Sequence, residues 1–408
     1  MPDILTRLAS PPAKLVLVYI IFFVLAISYF HRTSARDPTS YFFDPDRAYE
    51  RQYTSQRIAE AEAFLNTNSS QETPPPKEAE PALCVGIVSV RRRGEQYVGL
   101  TVASVLDGLS ETERDQMKLY LRIGNADPAE HPIYAEKWVE TLPDKLLTYG
   151  PSNPDYALLK EWEESRSFSN KTIYDFTSLL KECYDSGAEY VAMLEDDTLA
   201  VKGWYPATMQ ALQTTQEIQK GGREWVYLRL FYVDELLGWN SEEWATYLTW
   251  SFILWASITT TLFLSKRLLK SAPRISSKIS IPPSVLWTIS LIFIPCTITL
   301  HFLAGRQTMW PITPGVHRMD KYGCCSQGLV FPRDIVPSLL EKADRTPDWL
   351  VDMMIERIAD AQDWARYALV PAVLQHIGAT SSKGHKFDEA AGSIWNFRFE
   401  EYTPEGNS

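Results

Sequence analysis

Apolar residues follow two patterns along this chain: long charge-free runs, and short β-branched blocks set between stretches of helical spacing. Three long runs stand out. Leu15 to Phe30 carries no charge, is preceded by Lys14 and is followed by His31, Arg32 and Arg36. Its length of about 16 residues is at the short end for a membrane span. The sequence SYFHRT after it makes a poor signal-peptidase site, so an uncleaved anchor is expected. The other two, from about Trp244 to Leu264 and from about Val285 to Leu303, flank Lys266, Arg267, Lys270, Arg274 and Lys278 with no acidic residue among them. That pattern predicts a membrane hairpin whose basic turn faces the cytosol, leaving the chain on either side of it in the lumen.

The short blocks predict a sheet. CVGIVSV after Ala82 reads as a buried first strand running into Arg91, Arg92, Arg93 and Gly94. A helix from about Tyr97 to Leu109, a strand in KLYLRIGNAD, a short strand at Leu146 to Tyr149 and a helix from Ser169 to Ser186 follow. Next comes YVAMLEDD, in which the strand Tyr190 to Leu194 delivers Glu195, Asp196 and Asp197 at its end. Alternating strands and helices give a parallel α/β sheet, and ligands of such sheets bind beyond the carboxyl ends of the strands. Past the basic loop, YGCCSQGLVF resumes strand character, Arg333 to Ala343 and Trp349 to Ala361 have helical spacing, and VPAVLQHIGATSS from Val370 is expected to close the sheet. The hairpin is thus predicted to interrupt one domain. The segmentation is 1–14 cytosolic, 15–30 anchor, 31–80 lumenal stem, 81–243 first part of the domain, 244–264 span, 265–284 cytosolic loop, 285–304 span and 305–408 second part of the domain. Within the polar, proline-containing stem, Arg47 to Leu65 has the spacing of a short helix.

A formal net charge of −11, with basic residues concentrated near the membrane segments, speaks against a nucleic-acid partner. Of five cysteines, Cys296 lies in the third apolar run; Cys84, Cys183, Cys324 and Cys325 lie where disulfides form, and their pairing is open. Asn68-Ser69-Ser70 and Asn170-Lys171-Thr172 are glycosylation acceptor patterns.

The acidic cluster is the candidate for chemistry. Carboxylates at a strand end suit a hard divalent cation, Mn2+ or Mg2+, and arginines at the end of a neighbouring strand suit phosphate oxygens. The pair fits the diphosphate of a nucleotide-sugar. A solvated acidic turn is the plainer alternative for Glu-Asp-Asp alone.

YVAMLEDD, WVYLRLFYVDELLGW, CCSQGLVFPRD, VDMMIERIAD and PAVLQHIGATSS, in this order and interrupted by the hairpin, resemble the post-GPI-attachment N-acetylgalactosaminyltransferase family. The lumenal motifs are also similar to the N-acetylglucosaminyltransferase IV group. The first resemblance implies a GT-A-like, Rossmann-like glycosyltransferase domain split by a two-helix transmembrane hairpin. It also implies a multi-pass Golgi enzyme using UDP-N-acetylgalactosamine and acting on GPI-anchored proteins or the GPI glycan. The family's acidic motif falls on Glu195, Asp196 and Asp197, with Asp197 the expected direct metal contact, and its donor turn on Val90, Arg91, Arg92, Arg93 and Glu95. His376 and the following Ser381, Ser382 and Lys383 are expected to join the donor phosphates, and Asp352, or alternatively Asp348, to act as the base of an inverting transfer. An N-glycan N-acetylglucosaminyltransferase and an inactive membrane scaffold are the rival readings.

Overall fold

The computed structural model describes residues 11–69, 81–220, 222, 224–271, 282–319, 325–344, 350–378 and 394–402. The chain divides into two compact units, residues 1–50 with 234–312, and residues 51–233 with 313–408.

The first unit holds the long apolar runs as helices: Pro11–Thr33, Trp244–Ser271, and a third made of Pro283–Thr288, a π-helical turn Ile289–Phe293 and Ile294–Leu303. Three segments here are long and apolar enough to cross a membrane. Their large side chains face outward, with Val18 62%, Leu25 63%, Trp250 66% and Phe252 61% exposed, which an aqueous environment would penalise and a hydrocarbon one would not. The π turn lies just before Pro295, which has no N–H to donate. Side chains of the other two helices bond to backbone carbonyls of this stretch: Tyr19 donates its hydroxyl to the Phe293 carbonyl at 2.9 Å, and the Trp255 indole donates to the Ser290 carbonyl at 2.8 Å. Tyr19 also stacks on Phe293.

The second unit is a mixed α/β layer structure. Its strands are β1 (Leu83–Ser89), β2 (Met117–Ile123), β3 (Lys145–Thr148), β4 (Tyr190–Glu195), β5 (Thr198–Ala200), β6 (Trp225–Arg229), β7 (Gly315–Arg318), β8 (Gly328–Pro332), β9 (Ala365–Val370) and β10 (Leu374–His376). Eight of them form one sheet in the order β3-β2-β1-β4-β8-β6-β9-β7. The β3-β2-β1-β4 half is parallel, and β8 enters antiparallel between β4 and β6. Because β1 and β4 are covered on both faces, they read as continuous apolar runs instead of alternating ones.

Helix Phe168–Asp185 crosses from β3 to β4 and packs closely on the sheet. A Cβ added at Gly86 of β1 would lie 2.9 Å from Met193 Sδ and 3.1 Å from Leu179 Cγ, so the absence of a side chain sets that approach. A disulfide between Cys84 and Cys183 fastens the same helix to β1 across a separation of 99 residues, and a cross-link of that span contributes about 2–5 kcal/mol. Cys325 is disulfide-bonded as well, while Cys324 lies outside the described residues.

Two expectations are corrected. The stretch beginning at Val370 does not close the main sheet: β10 pairs antiparallel with β5 in a separate two-stranded ribbon, and β9 and β7 complete the sheet instead. The short helix expected within the stem is present as Tyr53–Asn68, but the stretch does not stand apart as a stem, since that helix packs within the second unit through buried Tyr53, Thr54, Arg57 and Ala61.

Candidate functional site

The ends of β1 and β4 lie side by side, with Val88 opposite Glu195 in the ladder. β1 therefore hands Ser89 and the turn Val90–Glu95 to the place where β4 hands over Glu195, Asp196 and Asp197. The antiparallel entry of β8 brings a third backbone to the same end: Glu195 N–H donates to the Gln327 carbonyl at 3.1 Å, and the Ser326 hydroxyl donates to Glu195 Oε1 at 2.6 Å. From the ribbon comes His376, whose Nε2 lies 3.1 Å from Asp197 Oδ2. Ile377 N–H donates to the Asp197 carbonyl at 2.8 Å, and a Cβ at Gly378 would fall 2.1 Å from Asp197 Oδ2. Only glycine lets this loop pass so near the carboxylate.

The three acidic residues divide their work. Asp196 is committed to the protein: it takes a hydrogen bond from Ser89 Oγ at 2.7 Å and an ion pair from Arg92. Arg92 Nη2 also reaches Asp197 Oδ2 at 2.9 Å, and its guanidinium lies over the Tyr97 ring. Glu195, Asp197 and His376 each offer one ligand atom within 4.8 Å of the others, in a grouping that could hold a metal ion. His376 thus takes the place in that group expected for Asp196.

Electrostatics follow from this packing. Burial alone would raise the Asp197 carboxyl, yet His376 and Arg92 hold it down to about 2. Burial alone would depress the His376 imidazole, but Asp197 outweighs it and moves the group upward. Glu195 is pushed up to about 7, first by burial and then by the Asp197 charge. Two carboxylates this close, Asp197 buried and Glu195 half-buried, repel, and a cation between them would remove the penalty. Asp197 Oδ1 is buried without a hydrogen-bond partner among the described residues. An orphaned buried acceptor costs about 1–3 kcal/mol, so the chain fits a cation at this point.

The remaining expected residues are distributed as follows. Arg91, Arg93 and Glu95 are exposed on the turn after β1, and Arg91 N–H is held by Asn125 Oδ1 at 3.0 Å. Asp352 sits in the first turn of helix Val351–Gln362, accepting from Cys325 N–H at 3.1 Å and from Met353 N–H at 2.9 Å. It is joined to the acidic group through the adjacent Ser326. Asp348, Ser381, Ser382 and Lys383 lie outside the described residues.

Ser89, Ser326 and His131 carry no motif and escape sequence reasoning. His131 is buried, accepts from Ile133 N–H on Nδ1 at 3.3 Å and meets Ser89 Oγ with Nε2 at 3.0 Å. With Nδ1 accepting and the Ser89 proton given to Asp196, Nε2 must carry the hydrogen. Burial, with help from Arg91 and Arg92, lowers its pKa to about 4. The unfolded chain therefore takes up a proton near pH 6.5 that the folded protein refuses until about pH 4. Stability contributed by neutral His131 is complete above pH 6.5 and is lost as pH falls toward 4, by on the order of 2 kcal/mol. His131→Gln should flatten the pH dependence of the thermal midpoint in that window; parallel curves for the two proteins would refute the assignment.

Two carboxylates and an imidazole that could hold a metal ion, with a guanidinium beside them, converge at the end of an α/β sheet in a chain whose three long apolar helices mark it as a membrane protein. The model of the GPI-N-acetylgalactosamine transferase family PGAP4 matches residues 83–375. The chain belongs to that family, and is a glycosyltransferase by that membership. No individual curated protein matches it.

Proposed function

We propose that this protein transfers N-acetylgalactosamine from UDP-N-acetylgalactosamine, with inversion, to the first mannose of the GPI anchor, from the lumenal side of the Golgi membrane. The observation that carries this reading is the cation-type group Glu195, Asp197 and His376 beside Arg92 at the ends of β1 and β4, within a chain of this family. The sheet is read as a GT-A domain. Helices Trp244–Ser271 and Pro283–Leu303 are read as a transmembrane hairpin with its basic turn in the cytosol.

Glu195 and Asp197 supply oxygen and His376 supplies nitrogen, a donor set that favours Mn2+ over Mg2+, which prefers oxygen alone. When bound, the ion would neutralise the diphosphate and stabilise the departing UDP. The protein's own groups do the rest. Arg92 is fixed by Asp196 and Asp197, and Arg91 and Arg93 present further cations on the exposed turn for phosphate oxygens. Asp352 takes the proton of the mannose hydroxyl as that oxygen bonds to the anomeric carbon. The bond from that carbon to the UDP oxygen breaks on the opposite face, which inverts the configuration.

Purified full-length protein, offered a panel of UDP-sugars with a synthetic GPI-mannose acceptor and Mn2+, should yield a β-linked N-acetylgalactosamine product. Preferential use of UDP-N-acetylglucosamine, an α-linked product, or no transfer from any donor would overturn the reading.

A further inference from the structure

Two segments outside the matched residues hold the ribbon that carries the cation group. One is the helix Tyr53–Asn68, the other the C-terminal stretch Trp395–Tyr402. Arg57 of the helix is 0% exposed. Its Nε donates to the carbonyl of Ala200, the last residue of β5, at 2.8 Å, and its Nη2 to the Ser104 carbonyl at 2.8 Å. Nη1 is paired with Asp107 and with Glu60. On the far side of Ala200, its N–H donates to Ser104 Oγ at 3.0 Å. One planar guanidinium thus locks β5, which begins at the residue after Asp197, to the end of helix Val98–Leu106.

The other strand is held from the C-terminal stretch. Gln375, the neighbour of His376, is fully buried and exchanges hydrogen bonds with the Asn396 backbone in both directions, each at 2.9 Å. Gln375 Oε1 also receives His376 N–H at 3.1 Å. Glu400, 4% exposed, places its carboxylate at the start of helix Tyr53–Asn68, accepting from Gln52 N–H at 2.8 Å, from Thr54 N–H at 3.2 Å and from the Thr54 hydroxyl. Such a carboxylate satisfies orphan donors of the first turn and suits the positive end of the helix dipole. Buried charges of this kind persist only when fully partnered, and both are.

We infer that Arg57 and Glu400 are positioning residues that clamp β5 and β10 together and so hold Asp197 and His376 at ligand spacing. The inference rests on the reading of that group as a cation site. It makes the helix before β1 a working part of the transferase unit, whose functional start is near residue 51 instead of at β1. A ligand group with no clamp would have to order two loops each time a cation arrived, and affinity would fall by that ordering cost.

The test uses detergent-purified full-length protein carrying Arg57→Gln or Glu400→Gln. Leu339→Ala, a core truncation in helix Val336–Ala343 at the other side of the sheet, serves as the destabilised control. Amide hydrogen exchange should accelerate at least tenfold across residues 198–201 and 373–377 in either clamp variant, while amides of β1 and β4 stay protected. Mn2+ affinity, read by electron paramagnetic resonance, should weaken at least tenfold in the clamp variants and stay unchanged in Leu339→Ala. Unaltered ribbon exchange in a folded clamp variant would overturn the inference, as would an equal affinity loss in Leu339→Ala. Should Arg57→Gln fail to fold, the milder Glu400→Gln decides. Absence of saturable Mn2+ binding in the unaltered protein would defeat the cation reading, and ribbon exchange would still decide the positioning claim.

Discussion

Asp197→Ala should reduce sugar transfer by at least a factor of about a thousand, or roughly 4 kcal/mol of transition-state stabilisation. Its carboxylate is where the site's parts meet: Arg92 and His376 bind Oδ2 at 2.9 and 3.1 Å, and Oδ1 is the buried acceptor with no hydrogen-bond partner among the described residues. Removing it leaves Arg92 and His376 without the carboxylate they share and takes one of three groups from the only grouping that could hold a metal ion among the described residues. Breaking a buried ion pair costs about 3–5 kcal/mol, a sizeable part of the 5–15 kcal/mol that typically stabilises a domain, so loss of fold must be separated from loss of chemistry. Asp197→Asn makes that separation. It keeps the size and one acceptor oxygen beside Gly378 but drops the charge, and should lose transfer nearly as completely while its thermal midpoint shifts less. Wild-type transfer by either variant would mean that Glu195, Asp197 and His376 form a structural ion-pair network.

Asp352→Asn should lower turnover by about a hundredfold to ten-thousandfold and leave UDP affinity unchanged. Asp352 holds two backbone N–H groups, Cys325 at 3.1 Å and Met353 at 2.9 Å, in the first turn of its helix. Were it only a helix-terminal anchor, replacement would cost about 0.5–2 kcal/mol of stability and nothing in turnover at temperatures where the protein stays folded. Asparagine retains an acceptor for one of those N–H groups and loses the other acceptor, the charge and the capacity to take a proton. Turnover and UDP affinity, measured separately by steady-state kinetics and calorimetry, therefore distinguish base from anchor. If Asp348→Asn depresses turnover and Asp352→Asn does not, the base is Asp348.

Much of this molecule is written in local pattern. The charge-free runs became helices too apolar to be left in water, because no rearrangement of tertiary structure could hide so many adjacent large side chains. CVGIVSV and YVAML became central parallel strands because a strand covered on both faces needs apolar residues at successive positions. Glu195, Asp196 and Asp197 were legible as a cluster at the end of β4 because an apolar strand running into three carboxylates has nowhere to put them except the rim of the sheet. Residues that alternate along an extended backbone point to opposite sides, so a split of Glu195 and Asp197 from Asp196 was available in principle.

Contacts between distant parts of the chain decided the rest. WARYALV carries no strand signal that its neighbours in sequence enforce, and as β9 it lies inside the main sheet because β6 and β7 are there to pair with it. VLQHIG had strand character in sequence, and only the pairing with β5 put it in a ribbon and brought His376 to Asp197. Ser89, Ser326 and His131 are ordinary residues until the fold sets Ser89 against Asp196, Ser326 against Glu195 and His131 behind Ser89. The polar surface of the helix Tyr53–Asn68 and its place next to a proline-containing stretch match a stem, and only the packing of Tyr53, Thr54, Arg57 and Ala61 makes it part of the second unit. The sequence by itself determined which segments avoid water and where negative charge collects, both properties of neighbouring residues. Which carboxylates join His376 in a group that could hold a cation, and what holds them there, was decided by the tertiary structure, because hydrogen bonds and ion pairs depend on distances that only the folded chain establishes.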